Sequence, residues 1–132
     1  MLFSSILLIC LFDIASSRHA KYTLSGILKC KGKPVASQEV ALKFTHPLYN
    51  SKTATTVTTH SDGSFNITSA TKGHWKDAYG WVEHNCDEKN RLNCDIMSEI
   101  VIPKKFMGRI YGIGDFELSK HVYYNSCDDE DE

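Results

Sequence analysis

No apolar run in these 132 residues is long enough to cross a bilayer, which takes roughly 20 residues; the longest is Ile6–Phe12. No internal repeat is visible, and past Ser17 no stretch settles into a helical period. There is no G-x-S-x-G, no H-E-x-x-H and no acid–His–Ser order of diagnostic spacing, which removes the common hydrolase constellations. Gly112-Ile-Gly114 is a lone G-x-G in a strand-like run with no helix behind it, so no phosphate cradle is expected there. Basic residues do not interleave with aromatics in a patch, which argues against a nucleic-acid partner. The six histidines (His19, His46, His60, His74, His84 and His121) have no close paired spacing of the kind that holds a metal.

The N-terminal segment has the form of a leader. Its apolar stretch is followed by small residues at Ala15 and Ser17, the third and first positions before a cut. Residues 1–17 are therefore expected to be a signal peptide cleaved after Ser17, with an extracellular address for the product. About 115 residues then remain, enough for one domain with a modest core. That part carries all fifteen Lys and Arg and fifteen of the sixteen acids, so its formal charge is zero. Five of those acids form the end, Asp128-Asp129-Glu130-Asp131-Glu132. Such a run repels itself, and residues 128–132 are expected to be a solvated acidic tail beyond a domain at 18–127.

From Tyr22 onward the chain alternates in a two-residue rhythm. Tyr22–Cys30, Val40–Phe44, Thr53–Thr59, Ser64–Thr68, Ala78–Cys86, Ile96–Ile102 and Ile110–Leu118 read as strands. Turn chemistry separates them at Lys31-Gly-Lys-Pro34 and Ser61-Asp62-Gly63, and Pro103 stops the sixth. Lys104–Arg109 is the one place for a short helical turn. About seven strands with this punctuation predict an all-β, two-sheet antiparallel sandwich. Lys104, Lys105 and Arg109 read as a solvated loop face in preference to a site for anionic lipid head groups. Trp75 and Trp81 offer aromatic surface for a ligand, although in a sandwich such residues more often pack in the core or in cross-strand pairs.

Once Cys10 is set aside with the leader, four cysteines remain: Cys30, Cys86, Cys94 and Cys127. In an oxidising compartment an even set reads as two disulfides. Four cysteines permit three pairings, and the sequence does not choose among them. Locality and the position of the chain ends favour Cys86–Cys94 with Cys30–Cys127. A zinc site from His84, Cys86 and Cys94 is the rival, and it needs thiolates that such a compartment removes. No metal, cofactor or catalytic residue is assigned. Asn66-Ile67-Thr68 is a glycosylation sequon, and the alternation puts Phe65 and Ile67 toward the core and Asn66 toward solvent.

The order of these pieces carries a resemblance. Cys30, the Gly-Lys-Pro turn, Asp62-Gly63-Ser-Phe65, His84-Asn85-Cys86, Cys94, Ile100-Val-Ile-Pro103 and Tyr111-Gly-Ile-Gly114-x-Phe-x-Leu118 follow one another as in the transthyretin-like family of small secreted nematode proteins. Asn85 stands where that family often has Asp, Ala78 where Pro is common, and Gly80 where an apolar residue is common. The resemblance implies a transthyretin (prealbumin) type of sandwich, secretion and a non-enzymatic extracellular role. Hydroxyisourate hydrolase, an enzyme on the same fold, ends in Tyr-Arg-Gly-Ser and places a His on its first strand. This chain ends in acids and has no His in Tyr22–Cys30, so that activity is not expected.

The expected function is therefore binding or bridging of an extracellular or cell-surface protein, by a molecule expected to be a monomer. The alternative is a carrier of a small hydrophobic ligand, as in vertebrate transthyretin, where the ligand lies in a channel between subunits. The strand Ile110–Leu118 would have to line that channel, and Gly112, Asp115 and Glu117 suit an apolar guest poorly.

Overall fold

The computed structural model describes residues 19–45, 52–72 and 77–127. The expected leader and its cut after Ser17, the acidic tail, His46, His74 and Trp75 lie outside the described residues. Among the described residues nine strands form: β1 (His19–Cys30), β2 (Lys33–Pro34), β3 (Glu39–Thr45), β4 (Lys52–Thr58), β5 (Ser64–Lys72), β6 (Asp77–His84), β7 (Cys94–Ile102), β8 (Ile110–Glu117) and β9 (Tyr124–Cys127). Short 3-10 turns follow β7 at Lys104–Phe106, inside the expected segment, and β8 at Leu118–Lys120. One sheet is built on β1, which pairs with β2, β5 and β8; the other runs β4-β3-β6-β7-β9.

All seven expected runs become strands, and the alternation sets which residues face inward. Val40, Leu42 and Phe44 of β3 are buried, as are Phe65 and Ile67 of β5, and Ile96, Ser98, Ile100 and Ile102 of β7. Leu24 and Leu28 of β1 and Val82 of β6 close the core between the sheets. A fully buried Leu or Ile contributes roughly 1.5 to 3 kcal/mol, so this double layer is the main driving force for the fold. Gly80, the departure in β6, lies in the inward row. A Cβ there would stand 2.6 Å from Leu24 Cδ2 of the facing sheet, so the missing side chain is the space that Leu24 fills.

Two strands exceed the expected seven, and one pairing runs against the expected direction. Lys31 and Gly32 both take positive φ, 53° and 79°, the two-residue turn that returns the chain onto itself and makes Lys33–Pro34 a short β2 against β1. The Glu117 carboxylate accepts the N–H groups of Lys31 (2.8 Å) and Gly32 (2.7 Å), so the end of β8 clamps this turn. Strand β8 is parallel to β1, with Thr23 opposite Ile110 and Lys29 opposite Glu117. The antiparallel expectation assumes hairpins. Here the chain leaves β7 at Pro103, crosses to the other sheet through the 3-10 turn, and is anchored where Gly108 N–H donates to Lys21 O at 2.7 Å. A crossing of that kind does not force reversal, and β8 enters alongside β1 in the same direction.

The disulfide pairing corrects the expectation. Cys30 is bonded to Cys86 and Cys94 to Cys127; neither Cys86–Cys94 nor Cys30–Cys127 forms. Cys30 ends β1 in one sheet and Cys86 follows β6 in the other, so their bridge ties the two layers with Cα atoms 5.8 Å apart. The intervening loop needs no bridge of its own. Asp87 accepts hydrogen bonds from Arg91 N (2.7 Å), Nε (3.0 Å) and Nη2 (3.0 Å), closing it by charge. Cys94 thus emerges at the start of β7, where β9 returns antiparallel and sets Cys127 directly opposite.

Candidate binding face

The outward row of the five-stranded sheet is unusually aromatic. In β6 the inward residues are Ala78, Gly80, Val82 and His84, so Tyr79, Trp81 and Glu83 project outward. Met97, Glu99 and Val101 do the same on β7. Trp81 is held edge-on between Tyr79 (centroids 6.2 Å apart) and Tyr123 (5.6 Å). Tyr123 N–H donates to Met97 O at 2.8 Å, which seats the residue before β9 over this sheet. The Trp81 indole N–H donates to Glu83 Oε1 at 3.2 Å, fixing the ring plane, and Lys43 Nζ lies 4.9 Å from the ring centroid. Tyr123, Val101 and Tyr124 remain 66%, 60% and 53% exposed.

A depression of about 340 Å³ opens beside Trp81. Its cause is local: Ala41 lies between Thr56 of β4 and Trp81 of β6 in the cross-strand register. A methyl group between two larger side chains leaves a dent, ringed by Lys43, Thr53, Glu39 and Glu83. A larger open cleft of about 1060 Å³ lies toward the far end of the same sheet, lined among others by Gln38, Asn85, Arg91, Asp95 and Tyr124.

His84, one of the family-like residues, is not on either surface as a free group. It is buried, its Nδ1 accepts the Cys86 N–H (3.0 Å) and its Nε2 lies 2.9 Å from Ser98 Oγ. Because a backbone N–H only donates, the ring proton sits on Nε2 and goes to Ser98. Burial pushes the imidazole down to about 4, so it is neutral at physiological pH. The side-chain and backbone hydrogen bonds from Arg91 hold the Asp87 carboxyl well below the usual carboxylate range. Burial alone would raise Glu117, yet the bonds from Gly32 N–H, the Ser119 hydroxyl and Lys31 N–H outweigh it and bring the group down to about 2. These groups are structural fasteners.

The sulfur chemistry bears on the metal alternative. Cys86 is spent on Cys30, which takes it from the His84, Cys86, Cys94 set. Asp87, Cys94 and Cys127 bring potential ligand atoms within 4.8 Å of one another, but both sulfurs are joined to each other and offer no thiolate.

The remaining residues singled out in the sequence are dispersed. Asn66 is exposed on β5 between buried Phe65 and Ile67, and lies opposite Ser25 on the other sheet from Trp81. Thr68 Oγ1 is 2.9 Å from Thr23 Oγ1. His121 is exposed and stacks on Phe116 at 4.3 Å. Lys104 reaches Asp77 at 3.9 Å, and Lys105, its neighbour in the 3-10 turn, lies over Phe106. Trp81 proves to be an aromatic of the open face, packed against Tyr79 of its own strand and Tyr123 just before β9. Tyr123 and Lys43 were missed, since only the sheet pairing brings them to it.

The sequence pattern of the transthyretin-like family matches residues 25–103. No curated protein matches the chain. Among solved structures, a 9R-lipoxygenase from Cyanothece PCC8801 aligns at 14% identity and a TM-score of 0.45, over 87% of this chain and 18% of that one. The chain thus spans less than a fifth of that protein's length. The family match runs from within β1 through β7, taking in both partners of the inter-sheet disulfide and the strand that bears Trp81, and on that extent the chain belongs to the transthyretin-like family.

Proposed function

We propose that this protein is exported, loses residues 1–17 by cleavage after Ser17, and works outside the cell as a non-enzymatic binding module for a cell-surface or extracellular protein. The observation that carries this reading is the rigid aromatic face: Trp81 locked by Tyr79, Tyr123 and Glu83, with Tyr123, Tyr124 and Val101 left open to solvent. Aromatic side chains lose little rotamer freedom on binding, and exposed clusters of them are favoured at contact centres. Two disulfides suit an oxidising compartment. The carrier alternative finds less support, because Asp115 pairs with Lys29 at 2.9 Å and Glu117 serves the β1–β2 turn.

The test is a cell-surface binding assay with tagged, secreted protein. Tyr123→Ala combined with Val101→Glu, both at exposed positions, is expected to reduce bound protein at least about tenfold, the effect of losing roughly 1.4 kcal/mol. Unchanged binding by a folded double variant overturns the assignment of this face. A glycan on Asn66 fits the same arrangement, since it would project from the opposite sheet and leave the aromatic face clear. Asn66→Gln is expected to collapse the secreted protein to the gel mobility produced by N-glycosidase treatment. Identical mobility of untreated wild type, treated wild type and Asn66→Gln would refute modification.

A further inference from the structure

We infer that the depression beside Trp81 is a subsite for one ring of a neutral glycan, so that the surface partner is held through its uncharged sugar chain. This rests on the binding-module reading above and specifies its ligand chemistry.

The content of the depression excludes the other ligand classes. A cationic guest would seek the Trp81 face, but the chain's own Lys43 ammonium already lies over that ring at 4.9 Å. An anion would meet two carboxylates, Glu39 and Glu83, against that single lysine. A purely apolar guest would desolvate Lys43, Thr53, Thr56 and both glutamates without returning their hydrogen bonds.

A pyranose answers each group. Its hydroxyls both donate and accept, matching the ammonium, the carboxylates and the threonine hydroxyls. Trp81 is half-exposed, so the weakly positive C–H face of the sugar can lie against the indole surface beside the Lys43 ammonium, drawn by the same quadrupole. The space of about 340 Å³ lies at the lower end of small-ligand sites and suits one ring, with neighbouring sugars running over the open sheet.

The site is built before any ligand arrives. Glu83 holds the Trp81 plane through the indole N–H, and Tyr79 and Tyr123 brace it from its flanks. Gln38 Nε2 donates to Glu83 O at 2.7 Å and Glu39 O at 3.0 Å, tying the two acidic positions to one side chain. The Glu39 carboxylate and the hydroxyls of Thr53 and Thr56 have no hydrogen-bond partner among the described residues. They stand ready for exchange with ligand hydroxyls at little reorganisation cost.

The experiment uses secreted protein with Trp75→Phe, so that Trp81 gives the single indole signal, titrated in nitrogen-edited NMR. The probes are mannotriose, galactotriose and cellotriose, with 3′-sialyllactose as the anionic comparison. The expected result is saturable movement of the Trp81 indole and of the Ala41, Lys43 and Thr56 amides with at least one neutral trisaccharide. Its Kd should be on the order of 1 mM or tighter, and sialyllactose should bind more weakly.

Trp81→Ala is expected to weaken binding at least about tenfold, and Trp81→Phe to retain part of it. Glu39→Gln, at an exposed strand position, gives a second reading that does not depend on Trp81→Ala folding, with an expected loss of about threefold or more. The inference is overturned if no neutral trisaccharide moves these signals saturably, or if Trp81→Ala or Glu39→Gln binds like the parent. That failure would leave the cell-surface assay standing, since the assay reads Tyr123 and Val101 on whole cells with no assumption about sugar.

Discussion

Replacing Cys30 and Cys86 together by alanine is expected to lower the folding free energy by about 4 kcal/mol, the value for closing a loop of 56 residues. A domain of this size holds only about 5 to 15 kcal/mol in all, so the variant is left near the edge of folding. The bridge joins the end of β1 to Cys86, two residues past the end of β6, and so ties the sheets at one end of the core. The matching change at Cys94 and Cys127 closes 33 residues and should cost slightly less on loop entropy. It should also free the four-residue β9, and with it Tyr123, from the sheet edge. Urea unfolding of the two double variants, with non-reducing peptide mapping of the parent, checks both values and the pairing. A map showing Cys86 joined to Cys94 would contradict the structure directly.

Acid should unfold the protein through His84. Its folded-state value is near 4 because burial disfavours the cation, while in the unfolded chain it titrates near 6.5. Between those values the unfolded chain binds the extra proton. Stability therefore rises with pH across that window, and is lost as pH falls from about 6.5 to about 4. The full difference is roughly 3 kcal/mol, of which about 2 kcal/mol appears between pH 7 and pH 5. Protonation would turn Nδ1 toward the Cys86 N–H as a second donor, so the strain falls on the segment that carries the inter-sheet bridge. His84→Asn should be less stable at pH 7 but nearly flat between pH 7 and 5, when followed by thermal unfolding. A parent-like slope in that variant would place the titration elsewhere. Below pH 4.5 Glu117 adds a loss in the same direction, because its depressed value makes the carboxylate form the stabilising one.

The readable and unreadable parts of this chain divide by the range of the interactions involved. The β3 triplet Val40, Leu42 and Phe44 and the β5 pair Phe65 and Ile67 are local alternation, and they face the core as the period of two requires. Asp62-Gly63 is local too: Asp62 Oδ1 accepts from Ser64 N at 3.0 Å, and Gly63 has φ of +82°. Strand β9 has no such signature. Tyr124, Asn125 and Ser126 are exposed, and the strand exists because β7 offers an edge and Cys94 a bond. Without a signature for that strand, nothing local brings Cys127 to Cys94, and locality points to the wrong partner. The parallel course of β8 likewise depends on a crossing between sheets that no residue pattern announces. On the candidate site, the outward aim of Trp81 follows from the period of β6, whereas Lys43 comes from β3 and Tyr123 from the segment that leads into β9.

The connectivity of the bridges has a bearing on biosynthesis. Numbered from the first residue, the four bonded cysteines join as nearest successors, Cys30 to Cys86 and then Cys94 to Cys127. A polypeptide threading out N-terminus first would offer its sulfurs to an oxidant in that order. Pairing each newcomer with the one still waiting gives the native set with no reshuffling by an isomerase, whereas a nested arrangement would have kept Cys30 reactive until nearly the whole chain had appeared.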